Sequence, residues 1–350
     1  MAHNILILGA SYGSLLGTKL LMAGHNVTLV CREATAKLIN EQGTEVRIRL
    51  KGEETHRGFR SLELAGRLDA QTPENVAVGA YDMVGLAMQE PQYADPSLRE
   101  LLARIADARI PCLSIMNMPP PPFLKRIPGL NTEKLETAYT TPRVWDRFDP
   151  DLMTLCSPDP QAFRPPEEGA NVLHVGLPTN FKAARFGDAA ANKLLDRLDA
   201  DIAAVRVGRQ EVPVKLKAFD SLFVPLAKWS MLMTGNYRCV LPGDVRPIRD
   251  AVHENIGKSR MIYRYVDAVA RALGADAADA VPFDKYAAAA ENLAKPSSVA
   301  RAIAGGAPVI ERVDMLVQLI GRSLGMSEPD IDAIVATVDG ELDANRRRSA

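Results

Sequence analysis

The sequence predicts an α/β protein with an N-terminal Rossmann-like, doubly wound sheet and a C-terminal all-helical domain. Short apolar segments alternate with helical patterns over roughly the first two hundred residues, as is typical of a parallel sheet covered by helices. After Glu211 strand signals nearly vanish and helical periodicity continues to the end. We therefore predict a dinucleotide-binding domain over residues 1–208 and a helical substrate and dimerisation domain over residues 209–350.

The elements of the first domain follow from apolar runs and from their spacing. In chain order we expect a strand at 5–8, a helix at 14–23, a strand at 27–30, a helix at 34–42, strands at 45–50 and 60–65, a strand at 81–88, a helix at 96–106, strands at 110–115, 135–140, 152–155 and 171–175, a helix at 189–198 and a strand at 202–207. Four consecutive prolines at 119–122 predict a stiff, extended loop, because proline cannot donate a ladder hydrogen bond.

The second domain shows helical periodicity in four segments, at 214–233, 248–273, 286–293 and 309–324. A chain of 350 residues is long enough for two separate cores. An α/β domain followed by a helical one predicts a cleft between them, where ligands often bind.

Composition excludes several classes of function. A formal net charge of −1 provides no field for nucleic acid or anionic membranes. The chain has no apolar run long enough for a membrane span and no signal-peptide pattern at its start. Its four cysteines lack CxxC spacing, so we expect neither a metal site nor a disulfide framework, and we predict a cytoplasmic protein. The basic tail 346–348 is interpreted as a solvated, frayed end.

The glycine-rich turn after the first strand predicts a phosphate site. In such a turn the backbone amides and the start of the next helix face an anion. The three positions of the usual Gly-x-Gly-x-x-Gly pattern read Gly9, Ser11 and Ser14, with Gly13 beside the last. We expect Gly9, Ser11, Tyr12, Gly13 and Ser14 to bind a dinucleotide.

The end of the second strand bears on the choice of cofactor. A carboxylate there binds the ribose 2′-hydroxyl of NAD, whereas an arginine can hold the extra phosphate of NADP. This chain has Cys31 followed by Arg32. The planar guanidinium fork suits a phosphate, so Arg32 favours NADP. The alternative is that Arg32 is an ordinary solvated surface charge.

These features belong to a wider pattern that extends over nearly the whole chain. The segments that carry it are the N-terminal turn, Gly24-His25-Asn26-Val27-Thr28-Leu29-Val30-Cys31-Arg32, Leu113-Ser114-Ile115-Met116-Asn117, Lys228-Trp229-Ser230-Met231-Leu232, and Pro296-Ser297-Ser298 followed by Glu311. With these segments in this order the chain resembles the ketopantoate reductase family, part of the 6-phosphogluconate dehydrogenase-like group. The resemblance implies an NADP(H)-dependent oxidoreductase acting on a small molecule.

The resemblance also implies site residues. Asn117 matches an asparagine that touches both cofactor and substrate in the family. Ser297, Ser298 and Glu311 match residues that contact the substrate.

The chain departs from the family at three of its site positions. The lysine that acts as general acid falls on Met231, and a second lysine, at the end of the fourth strand, falls on Gln89. The asparagine that follows the first lysine falls on Gly235, with Asn236 one place on. Gln89 is retained here as a predicted cofactor contact, and Met231 and Asn236 as predicted substrate contacts.

The loss of two cations changes the expected chemistry. Hydride addition to a ketone makes an alkoxide that needs a proton donor or an oxyanion partner, and methionine supplies neither. A cationic acceptor such as an iminium or a methenyl-type (pterin-like) carbon needs no acid, and Glu311 would then act as its counter-charge. One alternative is a 2-keto acid reductase that uses Lys228, one turn before Met231, as the acid. Another is a non-catalytic NADP(H)-binding redox sensor.

Retention of Asn117, the serine pair and Glu311 argues against a pure sensor, which would need none of them. We therefore predict catalytic roles for Glu311, Asn117 and Lys228. The long helices of the second domain suggest a homodimer.

Overall fold

A computed structural model describes residues 1–349. The chain forms two compact units. The first unit contains residues 1–88, 92–126 and 143–220. The second contains residues 89–91 and 127–142 together with the chain from Ser221 onward.

The first unit holds fourteen strands, most of them short. In chain order they are β1 (Asn4–Leu8), β2 (Asn26–Val30), β3 (Glu45–Ile48), β4 (Arg57–Arg60), β5 (Leu68–Gln71), β6 (Met83–Leu86), β7 (Cys112–Ile115), β8 (Met153–Ser157), β9 (Gln161–Phe163), β10 (Val172–Leu177), β11 (Phe181–Ala184), β12 (Arg206–Val207), β13 (Gln210–Glu211) and β14 (Leu216–Phe219). Its helices are α1 (Tyr12–Met22), α2 (Glu33–Gln42), α3 (Pro96–Asp107), α4 (Pro121–Leu124) and α5 (Ala189–Ala204).

Eight strands form the main sheet, in the order β14-β11-β8-β7-β6-β1-β2-β5. Every neighbouring pair is parallel except β8 with β11. From β1 the chain moves outward through β2 to β5, and it then returns to β6 on the other side of β1. Such a reversal of strand order marks the place where α/β sheets bind ligands, at the carboxyl ends of the strands. The predicted α/β class with a Rossmann-like sheet is confirmed.

The central strands are buried on both faces, which explains why their sequences are continuously apolar. Ile5, Leu6, Ile7 and Leu8 of β1 are each at most 2% exposed. A second sheet of four strands, in the order β4-β3-β10-β9, lies in the same unit. In it β3 and β10 are parallel, and the outer strands are antiparallel to them.

The second unit is helical apart from a short hairpin of β15 (Val240–Leu241) and β16 (Asp244–Val245). Its helices are α6 (Lys228–Met231), α7 (Ile248–His253), α8 (Ile256–Ala272), α9 (Phe283–Ala290), α10 (Ser298–Ala304), α11 (Val313–Ser323) and α12 (Pro329–Ser349). No helix within residues 1–349 combines the length and the apolar character that crossing a bilayer would require.

Several predicted elements of the first unit are wrong. The segment 202–207 is not a strand of the main sheet, because α5 continues to Ala204 and β12 pairs only with β13 in a hairpin. The predicted strand at 60–65 is instead β4, which ends at Arg60, followed by a 3-10 turn over Ser61–Glu63. The strand β5 was missed, because Leu68-Asp69-Ala70-Gln71 has only two apolar residues.

The start of the segment predicted as a helix at 214–233 is also wrong. Val212, Val214 and Leu216 are buried and alternate with more exposed residues, which is the period of a strand. Accordingly, Leu216–Phe219 forms β14, parallel to β11 at the edge of the main sheet.

Other predictions fail where local capping decides the structure. The predicted strand at 135–140 is a 3-10 helix over Thr132–Ala138, because the Asn131 side chain accepts a hydrogen bond from the Glu133 amide at 3.0 Å. The last two of the four prolines are not extended: they begin α4, where proline is tolerated in the first turn.

In the second unit the pattern at 248–273 divides into two helices, and the Asn255 side chain caps the second of them. The tail 346–348, predicted to be frayed, continues α12. Asn345 in that helix is buried, and its amide nitrogen donates to the carbonyl oxygens of Ile303 and Ala307.

Candidate functional site

Gly9 ends β1 and makes the tight turn at the carboxyl edge of the main sheet. Its φ of 105° lies in the region that favours glycine. A Cβ there would lie 2.7 Å from the Ala87 carbonyl oxygen and 2.9 Å from Cγ of Met88. The Gly9 amide donates to the carbonyl oxygen of Val30 at 3.0 Å, which ties the turn to the end of β2. The turn therefore depends on glycine at this position.

Gly13 allows α1 to pack closely on the sheet. A Cβ on Gly13 would lie 2.6 Å from Cγ2 of Ile7, so any side chain would push α1 away from β1. Ser14 is buried, and its hydroxyl donates to the Ala10 carbonyl oxygen. The close-packing function of the third glycine in the usual pattern thus belongs to Gly13 here, and Ser14 fits beside it.

Ser11 and Tyr12 complete the turn. Ser11 is the exposed N-cap of α1 and makes no side-chain capping bond. The first amides of a helix have no partner inside the helix, so they are available to an anion. The Tyr12 hydroxyl donates to the Pro160 carbonyl oxygen at 2.8 Å, which fastens the loop before β9 to the start of α1. The phosphate-binding role of this turn stays a prediction.

Arg32 follows β2 at the same edge. Leu8 pairs with Val30 in the parallel ladder, so Gly9 and Cys31 leave their strands at the same level. Arg32 is the exposed N-cap of α2. The Arg32 side chain has no hydrogen bond or ion pair among residues 1–349.

Asn117 follows β7, two strands from β1 in the sheet. Its Oδ1 atom is buried and has no hydrogen-bond partner among the described residues. A buried acceptor without a donor is costly, so this atom is suited to a donor supplied by a ligand. Together with the Gly9 turn, this unpaired acceptor is compatible with a bound nicotinamide dinucleotide.

Glu311 is a buried residue of the second unit, and its carboxylate contacts the backbone of Glu90. It is 7% exposed, and its Oε1 accepts from the backbone amide of Glu90 at 3.2 Å. Its carbonyl oxygen accepts from the Tyr237 hydroxyl at 2.5 Å, and that hydroxyl also accepts from the Val313 amide at 3.0 Å. Glu311 is thus held firmly through both its backbone and its side chain.

Glu90 is a functional candidate that the sequence did not reveal. It is 2% exposed, and its carboxylate accepts from the amide and the hydroxyl of Thr140 at 2.9 and 3.0 Å. Burial raises the pKa of Glu90, while these hydrogen bonds oppose the rise. Gln89, the predicted cofactor contact, is its exposed neighbour. The only signal in the sequence was the position of Glu90 just after β6.

Helix α6, where the family resemblance implies a lysine at the position of Met231, is followed by an irregular turn. Lys228 and Met231 begin and end α6, and both side chains are half-buried. A π turn over Leu232–Asn236 follows, in which the Tyr237 amide donates to the Leu232 carbonyl oxygen. Because a π turn contains one residue more than an α turn, Asn236 lies one turn after Met231, where an α-helix would have Gly235. The role of Asn236 at the substrate stays a prediction.

Gly235 itself has no room for a side chain. A Cβ there would lie 2.0 Å from the Tyr286 hydroxyl oxygen, and that hydroxyl donates to the Met231 carbonyl oxygen at 3.1 Å. π turns are frequent at functional sites, which agrees with the predicted roles of Met231 and Asn236.

Ser297 and Ser298 differ in their surroundings. Ser297 is the buried N-cap of α10: its hydroxyl accepts from the Ala300 amide at 3.1 Å and donates to the Asn236 carbonyl oxygen at 2.7 Å. Ser298 is exposed. In the described structure Ser297 positions Asn236, and the substrate contacts of both serines stay predictions.

The described residues 1–349 contain no group of three or more His, Cys, Asp or Glu side chains arranged to hold a metal ion. The predicted cofactor contacts Gly9, Ser11, Tyr12, Gly13, Ser14, Arg32 and Asn117 lie in the first unit. The predicted contacts Gln89, Lys228, Met231, Asn236, Ser297, Ser298 and Glu311 lie in the second.

No family model and no curated protein matches the chain. Solved structures do match along nearly its full length. A 2-dehydropantoate 2-reductase from Methylococcus capsulatus has a TM-score of 0.68 at 16% identity, with 98% of this chain and 97% of that chain covered. A ketopantoate reductase from Ralstonia eutropha JMP134 has a TM-score of 0.63 at 20% identity, with 98% and 99% covered.

A ternary complex of D-mandelate dehydrogenase with NADH and anilino(oxo)acetate has a TM-score of 0.61 at 16% identity, with 98% and 99% covered. The chain therefore shares the fold of ketopantoate reductases and of this dehydrogenase, and the predicted resemblance is confirmed for the fold.

Proposed function

We propose that the protein is an NADP(H)-dependent oxidoreductase that transfers hydride to or from a small molecule other than ketopantoate. The proposal of nucleotide binding rests on the Gly9 turn together with the unpaired Oδ1 of Asn117 at the carboxyl edge of the sheet. The first unit would hold the phosphates on the amides at the start of α1 and the 2′-phosphate on Arg32. When bound, the nicotinamide supplies or accepts the hydride.

The proposal for the substrate rests on two buried carboxylates, those of Glu311 and Glu90, and on Met231, which stands in place of a cationic lysine. The backbone amide of Glu90 donates to the Glu311 carboxylate, and both side chains are buried. The family resemblance implies that Met231 occupies the position of the general acid. A buried carboxylate such as Glu311 favours a substrate that carries positive charge, such as an iminium or a methenyl-type carbon. Hydride addition to an iminium carbon gives a neutral amine, so no proton has to be delivered.

In this scheme Glu311 is the counter-charge of the substrate. Its backbone and side-chain hydrogen bonds fix the carboxylate before the substrate arrives, which is the preorganisation that electrostatic catalysis requires. Asn117 would orient the carboxamide or the substrate through its Oδ1, and Asn236, held by Ser297, would position the substrate.

A 2-keto acid reductase is the second candidate. It is favoured by the names of the matched structures, which include two ketopantoate reductases and a dehydrogenase bound to an oxoacid analogue. In that case Lys228, three residues before Met231 on α6, would supply the proton.

The test is oxidation of NADPH, followed by its absorbance, with three acceptors: ketopantoate, a cyclic iminium and a methenyl-pterin. We expect the cationic acceptors to turn over and Glu311→Gln to lower their kcat/KM about a hundredfold, since a charge partner is lost in a buried site. The exposed Glu291→Gln is the matched control and should change nothing. Ordinary turnover of ketopantoate by the unmodified protein would contradict the cationic acceptor. NADPH binding without any turnover would favour the sensor.

A further inference from the structure

A second arginine, Arg164, approaches the end of β2 from a different part of the first unit. It directly follows β9, the edge strand of the four-stranded sheet. The hydroxyl of Tyr12 holds the residues before β9 by its 2.8 Å hydrogen bond to the Pro160 carbonyl oxygen. Because Tyr12 begins α1, this bond brings the loop and β9 to the nucleotide turn.

Cys31 shows how near Arg164 comes. Tyr12, Cys31 and Ala162 all pack against the same apolar core of the first unit. Burial raises the pKa of the Cys31 thiol to about 11, and the positive charge of Arg164 opposes that rise. The pKa of Arg164 is in turn lowered by burial, with Cys31 as the opposing influence. Arg164 thus lies within electrostatic reach of the residue that immediately precedes Arg32.

Arg164 is half-buried, and its side chain has no hydrogen bond or ion pair anywhere in residues 1–349. Arg47, in the middle of the same sheet, shows the usual arrangement: it is paired with Glu45 at 2.6 Å and with Glu168 at 2.5 Å. Burying a guanidinium without a counter-ion is costly, so the half-buried and unpaired Arg164 is suited to bind an anionic ligand.

We propose that Arg164 is a second guanidinium for the 2′-phosphate of NADP(H), acting together with Arg32. Two planar forks can bind one phosphate through several charge-assisted hydrogen bonds. The inference rests on the proposed nucleotide-binding function, and it makes the choice between NADP and NAD depend on a residue about 130 positions away from the usual one.

The first test compares the dissociation constants of NADPH and NADH, measured from nicotinamide fluorescence, for the unmodified protein and for Arg164→Leu. We expect Arg164→Leu to weaken NADPH binding ten- to a hundredfold, as loss of a charged hydrogen-bonding partner does, and to leave NADH binding within twofold. Arg164→Lys, which keeps the charge but loses the fork, should fall between. Arg209→Leu, an exposed arginine in the hairpin of β12 and β13, is the matched control and should have no effect.

The second test follows the 2′-phosphate of bound NADP⁺ by phosphorus NMR. Two guanidiniums should keep this phosphate dianionic to a lower pH than in free NADP⁺, whose second pKa is near 6. Arg164→Leu should move that titration back toward the free value, whereas a merely structural role for Arg164 would leave it in place.

Different outcomes separate the two levels of the proposal. An unchanged NADPH affinity in Arg164→Leu, or an equal loss for NADH, overturns the role of Arg164 while NADP binding through Arg32 stands. Failure of the unmodified protein to bind either nucleotide overturns the proposed function itself. Inorganic phosphate that competes as well as adenosine 2′-monophosphate would show a general anion site and overturn the assignment to the nucleotide.

Discussion

The nucleotide turn of the first unit and the helix around Met231 of the second both depart from the ketopantoate reductase pattern, but in different ways. The predicted anion contacts of the turn come from backbone amides. Gly13 can therefore provide the close packing that the usual pattern assigns to the position of Ser14. At the position of Met231 the family resemblance implies a lysine amine that donates a proton, and no backbone adjustment can supply an amine. A site built from backbone groups thus tolerates a shifted sequence, whereas a site that depends on one side-chain group does not.

The strongest test of the backbone half is Gly9→Ala. It should lower the free energy of unfolding by about 4 kcal/mol, because it combines a strained positive φ with a clash against the Ala87 carbonyl oxygen. It should also abolish NADPH binding. Gly24→Ala is the control, since Gly24 has a φ of 86° but nothing within 4 Å of its Cβ position, and it should cost about 1 kcal/mol. Equal losses in urea unfolding of the two variants would contradict the role of close approach at Gly9.

The next test concerns Lys19, a buried charged residue in α1, the helix that follows the glycine turn. Lys19 of α1 is 1% exposed, and its Nζ donates to the Val212 carbonyl oxygen at 3.1 Å. Burial, helped by the charge of Lys215, lowers the pKa of Lys19 to about 7. Between that value and the ordinary pKa the unfolded chain binds more protons than the folded one, so stability rises with pH.

We therefore expect Lys19 to add about 3 kcal/mol to the free energy of unfolding as the pH rises from 7 to 10. Denaturation of the unmodified protein and of Lys19→Met across this range should give curves that differ by this slope. Lys37→Met, at a side chain that is 76% exposed, is the control. Parallel curves for Lys19→Met and the unmodified protein would mean that Lys19 keeps an ordinary pKa.

The variant Met231→Lys tests the role of the side-chain amine that is absent at position 231. If the missing amine is what separates this chain from its structural relatives, the variant should reduce ketopantoate about a hundredfold faster, equivalent to about 2.7 kcal/mol in the barrier. Met261→Lys, at an exposed methionine of α8, should give no gain. A folded Met231→Lys variant without any gain would show that the substrate site differs in more than this one group.

Sequence patterns predicted the fold well where the period of burial decides it. Ile5–Leu8, the helix after it and Val27–Val30 follow directly from apolar runs and turn glycines. The predictions failed where a single cap or a tertiary partner decides, as at Asn131 and at β14. A short segment has too little periodicity of its own to outweigh such contacts.

The candidate site was predictable to the same extent. Gly9, Arg32 and Asn117 follow strand ends, and strand ends are visible in the sequence. Glu90 and Arg164 were not predicted, because the burial of Glu90 and the half-buried, unpaired guanidinium of Arg164 are visible only in the three-dimensional structure.

The π turn at Leu232–Asn236 decides which side chains share one face of this helix. Compared with a regular α-helix, the extra residue rotates the side chains after the turn by about 100° relative to those before it. The side chain one turn beyond Met231 is therefore that of Asn236, because Gly235 has no room for a side chain.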